Sequence, residues 1–141
     1  MARSSRTYKL RLSHDGVDCL HHAHHRIGCL AHELISYGTT LFVAVTLLER
    51  LDASELVAQI DQQRCAELSG EITCFVGFPL QLAEIIERIS RRVDASGEHD
   101  RTSVGRLYIA AILTLLEADD HQILRAFRSA CVVREVQRKR D

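Results

Sequence analysis

The stretch VDCLHHAHHRIGCLAHELISYGTTLFVAVTLL, residues 17–48, decides the fold class of this chain. One set of mainly apolar residues recurs in it at alternating spacings of three and four: Val17, Leu20, His24, Ile27, Ala31, Leu34, Gly38, Leu41, Val45 and Leu48. This period is typical of one face of an α-helix, and one long helix or two helices in phase satisfy it equally. The β-branched residues of 39–46 leave a buried strand as an alternative there.

The segment that precedes this stretch has a hydrophobic period of two residues. Residues 7–13, TYKLRLS, alternate polar and apolar side chains, which predicts a short β-strand. Tyr8, Leu10 and Leu12 would then face the helices. The polar side chains on the other side of the strand would be those of Thr7, Lys9, Arg11 and Ser13.

Helical patterns continue beyond residue 51. Asp52 and Glu55 have the spacing of a capping box, and Pro79 suits the first turn of a further helix. We predict a mainly all-α fold, with four to five amphipathic helices in a bundle preceded by one short N-terminal β-strand. We divide it into an N-terminal region, residues 1–52, and a helical C-terminal region, residues 53–141, packed on it.

The composition is that of one folded domain. Of the 141 residues, 46% are hydrophobic and 26% charged, which supports a single core and excludes low-complexity disorder. The longest uncharged apolar run, residues 41–48, is far shorter than the roughly 20 residues that cross a bilayer, and no signal-peptide pattern opens the chain. Five cysteines without a C-x-x-C pair favour free thiols. We therefore expect a cytoplasmic protein that does not enter membranes.

The net charge of −1 conceals two basic ends. Residues 1–12 carry +4, residues 121–141 carry +4, and the residues between them carry −9. Basic ends are where contacts with nucleic-acid phosphates are expected. The candidates at the C-terminal end are Arg138, Lys139 and Arg140. The seven aromatic residues are scattered along the chain and include no Trp, which argues against a base-stacking surface for single strands.

The N-terminal third resembles the ribbon-helix-helix family of DNA-binding proteins. YKLRLS, residues 8–13, resembles the family's ribbon, and Val17, Leu20 and Ile27 have the spacing of its first helix. Gly28 is similar to the family's turn glycine, and residues 33–35, ELI, to the start of its second helix. The departure is at Leu30 and Ala31, where the family usually places a Ser or Thr cap.

This resemblance implies that strands from two copies form a ribbon that enters the major groove of duplex DNA. A homodimer would then be obligatory, since a lone strand leaves backbone groups unpaired. The implied role is repression, partition or accessory binding in a relaxosome. Because the C-terminal region, residues 53–141, exceeds what such a DNA-binding module needs, we also expect a protein partner for the C-terminal helices. The expected contact residues are Arg3, Arg6, Thr7, Lys9, Arg11 and Ser13.

A histidine-rich stripe offers a candidate metal site. On a continuous helix, the side chains of His22, His25, Cys29 and His32 share one face, and imidazole and thiolate groups at such spacings can bind Zn²⁺, Ni²⁺ or Cu²⁺. A solvated polar face explains the same pattern. We therefore predict no cofactor and keep a metal-responsive regulator as an alternative.

Catalytic motifs are missing from the sequence. His32-Glu33 begins like H-E-x-x-H, but Ser36 stands at the second histidine's place, and no phosphate-binding glycine loop or nucleophile elbow occurs. We therefore predict a non-enzymatic, nucleic-acid-associated protein. Its outline is also similar to the small helical subunits of CRISPR effector complexes, so a structural subunit associated with guide RNA is the main alternative to a DNA-binding protein.

Overall fold

The computed structural model describes residues 5–96 and 102–140. Its elements, in chain order, are β1 (Ser5–Leu12), α1 (His14–Ala31), α2 (Tyr37–Glu49), α3 (Ala53–Asp61), α4 (Gln63–Leu68), β2 (Ile72–Pro79), α5 (Leu80–Ala95), α6 (Val104–Glu117) and α7 (Asp120–Arg140). The mainly all-α prediction is confirmed, with seven helices in these ranges where four to five were expected. None of the described helices has the length and apolar character needed to span a bilayer.

The two strands form an antiparallel ribbon within one chain. β1 pairs with β2 from Ser5 opposite Pro79 to Leu12 opposite Ile72. The sequence patterns predicted β1 but no strand at residues 72–79, and an obligatory dimer was expected because β1 had no partner. The stated reason for a dimer is wrong, because β2 of the same chain satisfies the backbone groups along one edge of β1. The oligomeric state itself stays a prediction.

The long helical pattern of residues 17–48 is split into two helices. α1 ends at Ala31, and His32 follows in the left-handed conformation with a φ of 54°. α2 begins at Tyr37, where the Ser36 hydroxyl accepts a hydrogen bond from the Thr39 amide at 3.1 Å. Residues 33–35, expected at the start of the second helix, therefore precede it. The cap is a serine, as the physics of a helix start favours, but several residues later than expected.

The capping box at Asp52 and Glu55 predicts a helix, and the structure has two short helices there, α3 and α4. The Asp52 carboxylate accepts a hydrogen bond from the Glu55 amide at 2.8 Å and opens α3. Gln62 then adopts an extended conformation, which separates α3 from α4. Because of this break, α4 ends at Leu68 beside the start of α1, where the Leu68 carbonyl accepts a hydrogen bond from the Ser13 amide at 2.8 Å.

The centre of the core is the pair α2 and α6. Residues 38–45 and 107–115 are buried without interruption in these two helices. α2 packs on α5, α6, α7 and β2, so it is enclosed on several sides and shows little polar face. Leu10 and Leu12 of β1 belong to the same hydrophobic cluster. One side of the ribbon is therefore packed on this core, and the other side is exposed to solvent.

Candidate nucleic-acid interface

The outer side of the ribbon carries six exposed residues, which we call the ribbon face: Thr7, Lys9, Arg11, Thr73, Phe75 and Gly77. The register places Lys9 opposite Phe75 and Arg11 opposite Thr73. Side chains of opposite residues have Cβ atoms about 5 Å apart, so these four form one continuous patch. The six residues include two cations and no acid. The ribbon face is therefore positively charged although the chain as a whole has a net charge of −1.

Phe75 is one of the three residues of this patch that sequence reasoning missed, together with Thr73 and Gly77. Its side chain is 72% exposed, although a large apolar side chain gains free energy when it is buried. The missed signal is the run ITCFVGF, residues 72–78, whose β-branched and aromatic residues between Gly70 and Pro79 favour a strand. Folding brings one aromatic ring beside two cations that lie more than sixty residues away in sequence.

The inner side of the ribbon is anchored in the core. Leu10 and Leu12 are 0% exposed and Val76 is 4% exposed. The rings of Tyr8 and Tyr108 lie 4.8 Å apart between centroids, and burial raises the pKa of both phenols. These phenols stay protonated and neutral at physiological pH. The packing fixes which side of β1 points outward and so orients Thr7, Lys9 and Arg11.

Ser13 lies at the end of the ribbon and has a structural role. Its hydroxyl accepts a hydrogen bond from the Gly16 amide at 3.1 Å and donates one to the Glu67 carbonyl at 2.7 Å. It thereby caps α1 and ties α1 to α4. Of the other expected contacts, Arg3 lies outside the described residues, and Arg6 has a described backbone in β1 but no described side chain.

The C-terminal cations belong to a different part of the fold. Lys139 is exposed on α7, while Arg138 and Arg140 lie on the same helix outside the described side chains. α7 packs on α1 and α2, whereas β1 packs on β2 and α1. The two basic ends are therefore carried by separate elements that share α1 as a neighbour.

Two of the histidines of α1, His21 and His24, connect α1 to α2. His21 Nδ1 lies 2.7 Å from the Tyr37 hydroxyl, and His24 Nδ1 lies 3.0 Å from the Thr40 hydroxyl. The His24 ring also stacks on Tyr37, with centroids 4.0 Å apart. Burial lowers the pKa of His24, and the neighbouring His21 and His25 lower it further. The neutral imidazole is therefore the form that this contact favours.

The candidate metal ligands are brought together only in part. His25 Nε2 lies 3.4 Å from Cys29 Sγ, which matches their spacing of four on α1. His22 is exposed, and His32 lies beyond the end of α1 in the left-handed conformation, which breaks the continuous helical face predicted from the spacing. Within residues 5–96 and 102–140, no group of three or more His, Cys, Asp or Glu side chains could hold a metal ion.

Comparisons of this chain with protein-family models, with curated proteins and with solved structures found no match.

Proposed function

We propose that this chain is a non-enzymatic nucleic-acid-binding protein whose ribbon face contacts duplex DNA. The observation that carries the proposal is the exposed, acid-free patch of Lys9, Arg11 and Phe75 on a two-stranded antiparallel ribbon. The proposal keeps the DNA-binding ribbon that the ribbon-helix-helix resemblance implies. It differs in that both strands come from one chain.

The shape and chemistry of the patch suit a major groove. That groove is about 12 Å wide and admits a two-stranded β-ribbon. Lys and Arg donate hydrogen bonds to guanine O6 and N7 or to phosphate oxygens, and a phenylalanine ring can contact the thymine methyl group. Thr7 and Thr73 add hydroxyl groups at the two ends of the patch. Every side chain of the ribbon face thus has a partner of suitable chemistry on duplex DNA.

Binding to duplex DNA tests the proposal through its salt dependence. A labelled duplex of about 20 base pairs is titrated with protein, and fluorescence anisotropy gives the affinity between about 50 and 200 mM salt. Each lost phosphate contact should reduce the slope of log K against log salt by about 0.9. Lys9→Ala and Arg11→Ala should show that reduction or, for a base contact, a loss confined to particular sequences.

Two further variants make the test specific. Phe75→Ala should weaken binding with an unchanged salt slope, and it should leave folding stability intact because the ring is mostly exposed. Arg50→Ala is the matched control, since it removes one exposed cation at the end of α2, outside both basic ends of the chain. Lys9 and Arg11 variants that bind like Arg50→Ala would refute the proposal.

The exposed ring of Phe75 also favours a second candidate, a structural subunit that contacts single-stranded RNA. Aromatic rings stack on unpaired bases and contribute about 1–3 kcal/mol per base. In this alternative the same protein binds single-stranded RNA more tightly than duplex DNA, and Phe75→Ala causes the largest loss. The same anisotropy titration with an RNA oligonucleotide separates the two candidates.

A further inference from the structure

A pocket of about 360 Å³ opens beside the ribbon, between β1, the end of α4 and the start of α6. We call it the edge pocket. Its lining includes three cationic residues, Lys9 and Arg11 from β1 and Arg106 from α6, and no described acidic residue. Because Lys9 and Arg11 also belong to the ribbon face, the edge pocket and the ribbon face form one continuous positive surface.

Arg106 is hydrogen-bonded to the protein backbone at the wall of the edge pocket. Its Nε donates a hydrogen bond to the Ile60 carbonyl at 2.8 Å, and its Nη2 approaches the Gln62 carbonyl at 3.5 Å. These contacts engage two of the five N–H groups of a guanidinium, which remains positively charged. The side chain is therefore positioned by the end of α3, with donors left for a ligand.

The remaining wall adds positive potential and no negative charge. Ser103 caps α6 and Gly105 lies in its first turn, where backbone amides without helical partners carry partial positive charge. Burial raises the pKa of the Cys65 thiol and that of the Tyr8 phenol, so both stay neutral at physiological pH. The cations of the edge pocket are therefore not neutralised from within it.

We propose that the edge pocket binds one phosphate group, and that this phosphate belongs to the backbone of the DNA lying on the ribbon face. The second half of the proposal rests on the proposed function. Guanidinium and ammonium groups around a small cavity match a tetrahedral dianion or a phosphodiester oxygen pair. A phosphate seated beside the ribbon would fix the register of the ribbon on the duplex, since backbone contacts position a protein on DNA.

The first experiment uses the native protein and inorganic phosphate. Backbone amide resonances are followed by NMR during a phosphate titration, and a sodium chloride titration at equal ionic strength is the control. The expected result is a saturable shift of the Ser103, Gly105 and Arg106 amides that chloride does not produce. Shifts that follow ionic strength alone, or that spread over the surface without a focus, would overturn the proposal.

The second experiment asks whether DNA supplies the phosphate. Arg106→Gln should reduce the salt slope of duplex binding by about 0.9, so that its affinity falls about 3.5-fold less than that of the native protein between about 50 and 200 mM salt. Arg92→Gln is the matched control, because Arg92 likewise donates to two backbone carbonyls, those of Glu49 and Leu51, at 2.8 and 2.7 Å. Arg106→Lys keeps the charge and should keep the slope.

The outcomes separate this inference from the proposed function. Duplex binding that depends on Lys9 and Arg11 but is the same for Arg106→Gln and Arg92→Gln would refute a backbone phosphate in the edge pocket and leave the ribbon proposal standing. A phosphate-specific shift at the edge pocket without duplex binding would refute the ribbon proposal and assign the pocket to a free phosphate compound. The phosphate titration needs no variant, so poor folding of Arg106→Gln would not prevent a decision.

Discussion

A methyl group at Gly16 should disrupt the junction that holds the ribbon against the helices. A Cβ atom on Gly16 would lie 2.2 Å from the Leu68 carbonyl oxygen and 3.0 Å from the Leu12 Cβ. The first distance is about 1 Å shorter than an ordinary contact between carbon and oxygen. The Leu68 oxygen is a backbone atom that also accepts the Ser13 amide at 2.8 Å, so a rotamer change cannot relieve the clash.

Three contributions, one stabilising and two destabilising, set the expected change in the free energy of unfolding. Glycine to alanine inside a helix normally stabilises by about 1 kcal/mol. Overpacking of this kind costs about 1–3 kcal/mol, and loss of the Ser13–Leu68 hydrogen bond costs about 1 kcal/mol more. Gly16→Ala should therefore lower the free energy of unfolding by about 1–3 kcal/mol.

Urea unfolding followed by circular dichroism measures this change, with Gly28→Ala as the matched control. Gly28 lies in the same helix, and a Cβ there would approach the Glu33 carbonyl oxygen at 3.3 Å, a tight but adjustable contact. We expect Gly28→Ala to be neutral or up to about 1 kcal/mol more stable. A Gly16→Ala protein as stable as the native chain would refute the close approach of α1 to α4.

Two further predictions concern the contacts of α1 with α2 and α6. The folded state holds the pKa of His24 below its ordinary 6.5, so the unfolded chain binds more protons and stability should fall as pH drops from about 7 to about 5. His24→Gln should flatten that fall in pH-dependent urea unfolding, and an equally steep fall would contradict this role. The Arg26 guanidinium donates to the carbonyls of Leu115, Leu116 and Ala118 at 3.1, 3.2 and 2.7 Å and to Asp120 at 2.9 Å. Arg26→Met should cost about 2 kcal/mol or more in thermal unfolding, whereas Asp120→Asn, which removes only an exposed ion pair, should cost less than about 1 kcal/mol. Equal losses in these two variants would show that the carbonyl contacts contribute little.

Much of the local structure could be predicted from short-range patterns. The period of two in residues 7–13 predicts both the strand and the burial of Leu10 and Leu12, because side chains alternate across a strand. The spacing of Asp52 and Glu55 predicts the start of α3, because a carboxylate three residues before an amide can accept its hydrogen bond. These features depend on neighbours within a single turn or strand.

The end of α1 was harder to predict for a physical reason. The spacing of three and four continues through residues 28–38 without a slip, and Gly28 costs a helix only about 1 kcal/mol. Nothing local in that spacing distinguishes one helix from two in phase. The break becomes necessary only when α2 packs on α6 and α7 while α1 packs beside it.

By itself, the sequence determined that this chain is mainly helical, that its N-terminal strand has one polar and one apolar side, and that the polar side carries the cations Lys9 and Arg11. Tertiary structure alone decided what pairs with β1, that Phe75 lies beside Lys9 and Arg11, and that Arg106 closes a basic pocket next to them. Periodicity reports which side of an element is buried, because burial acts on each side chain separately. The segment that pairs with β1 lies at least sixty residues away in the sequence. No local period encodes which distant segment will pair with a strand edge.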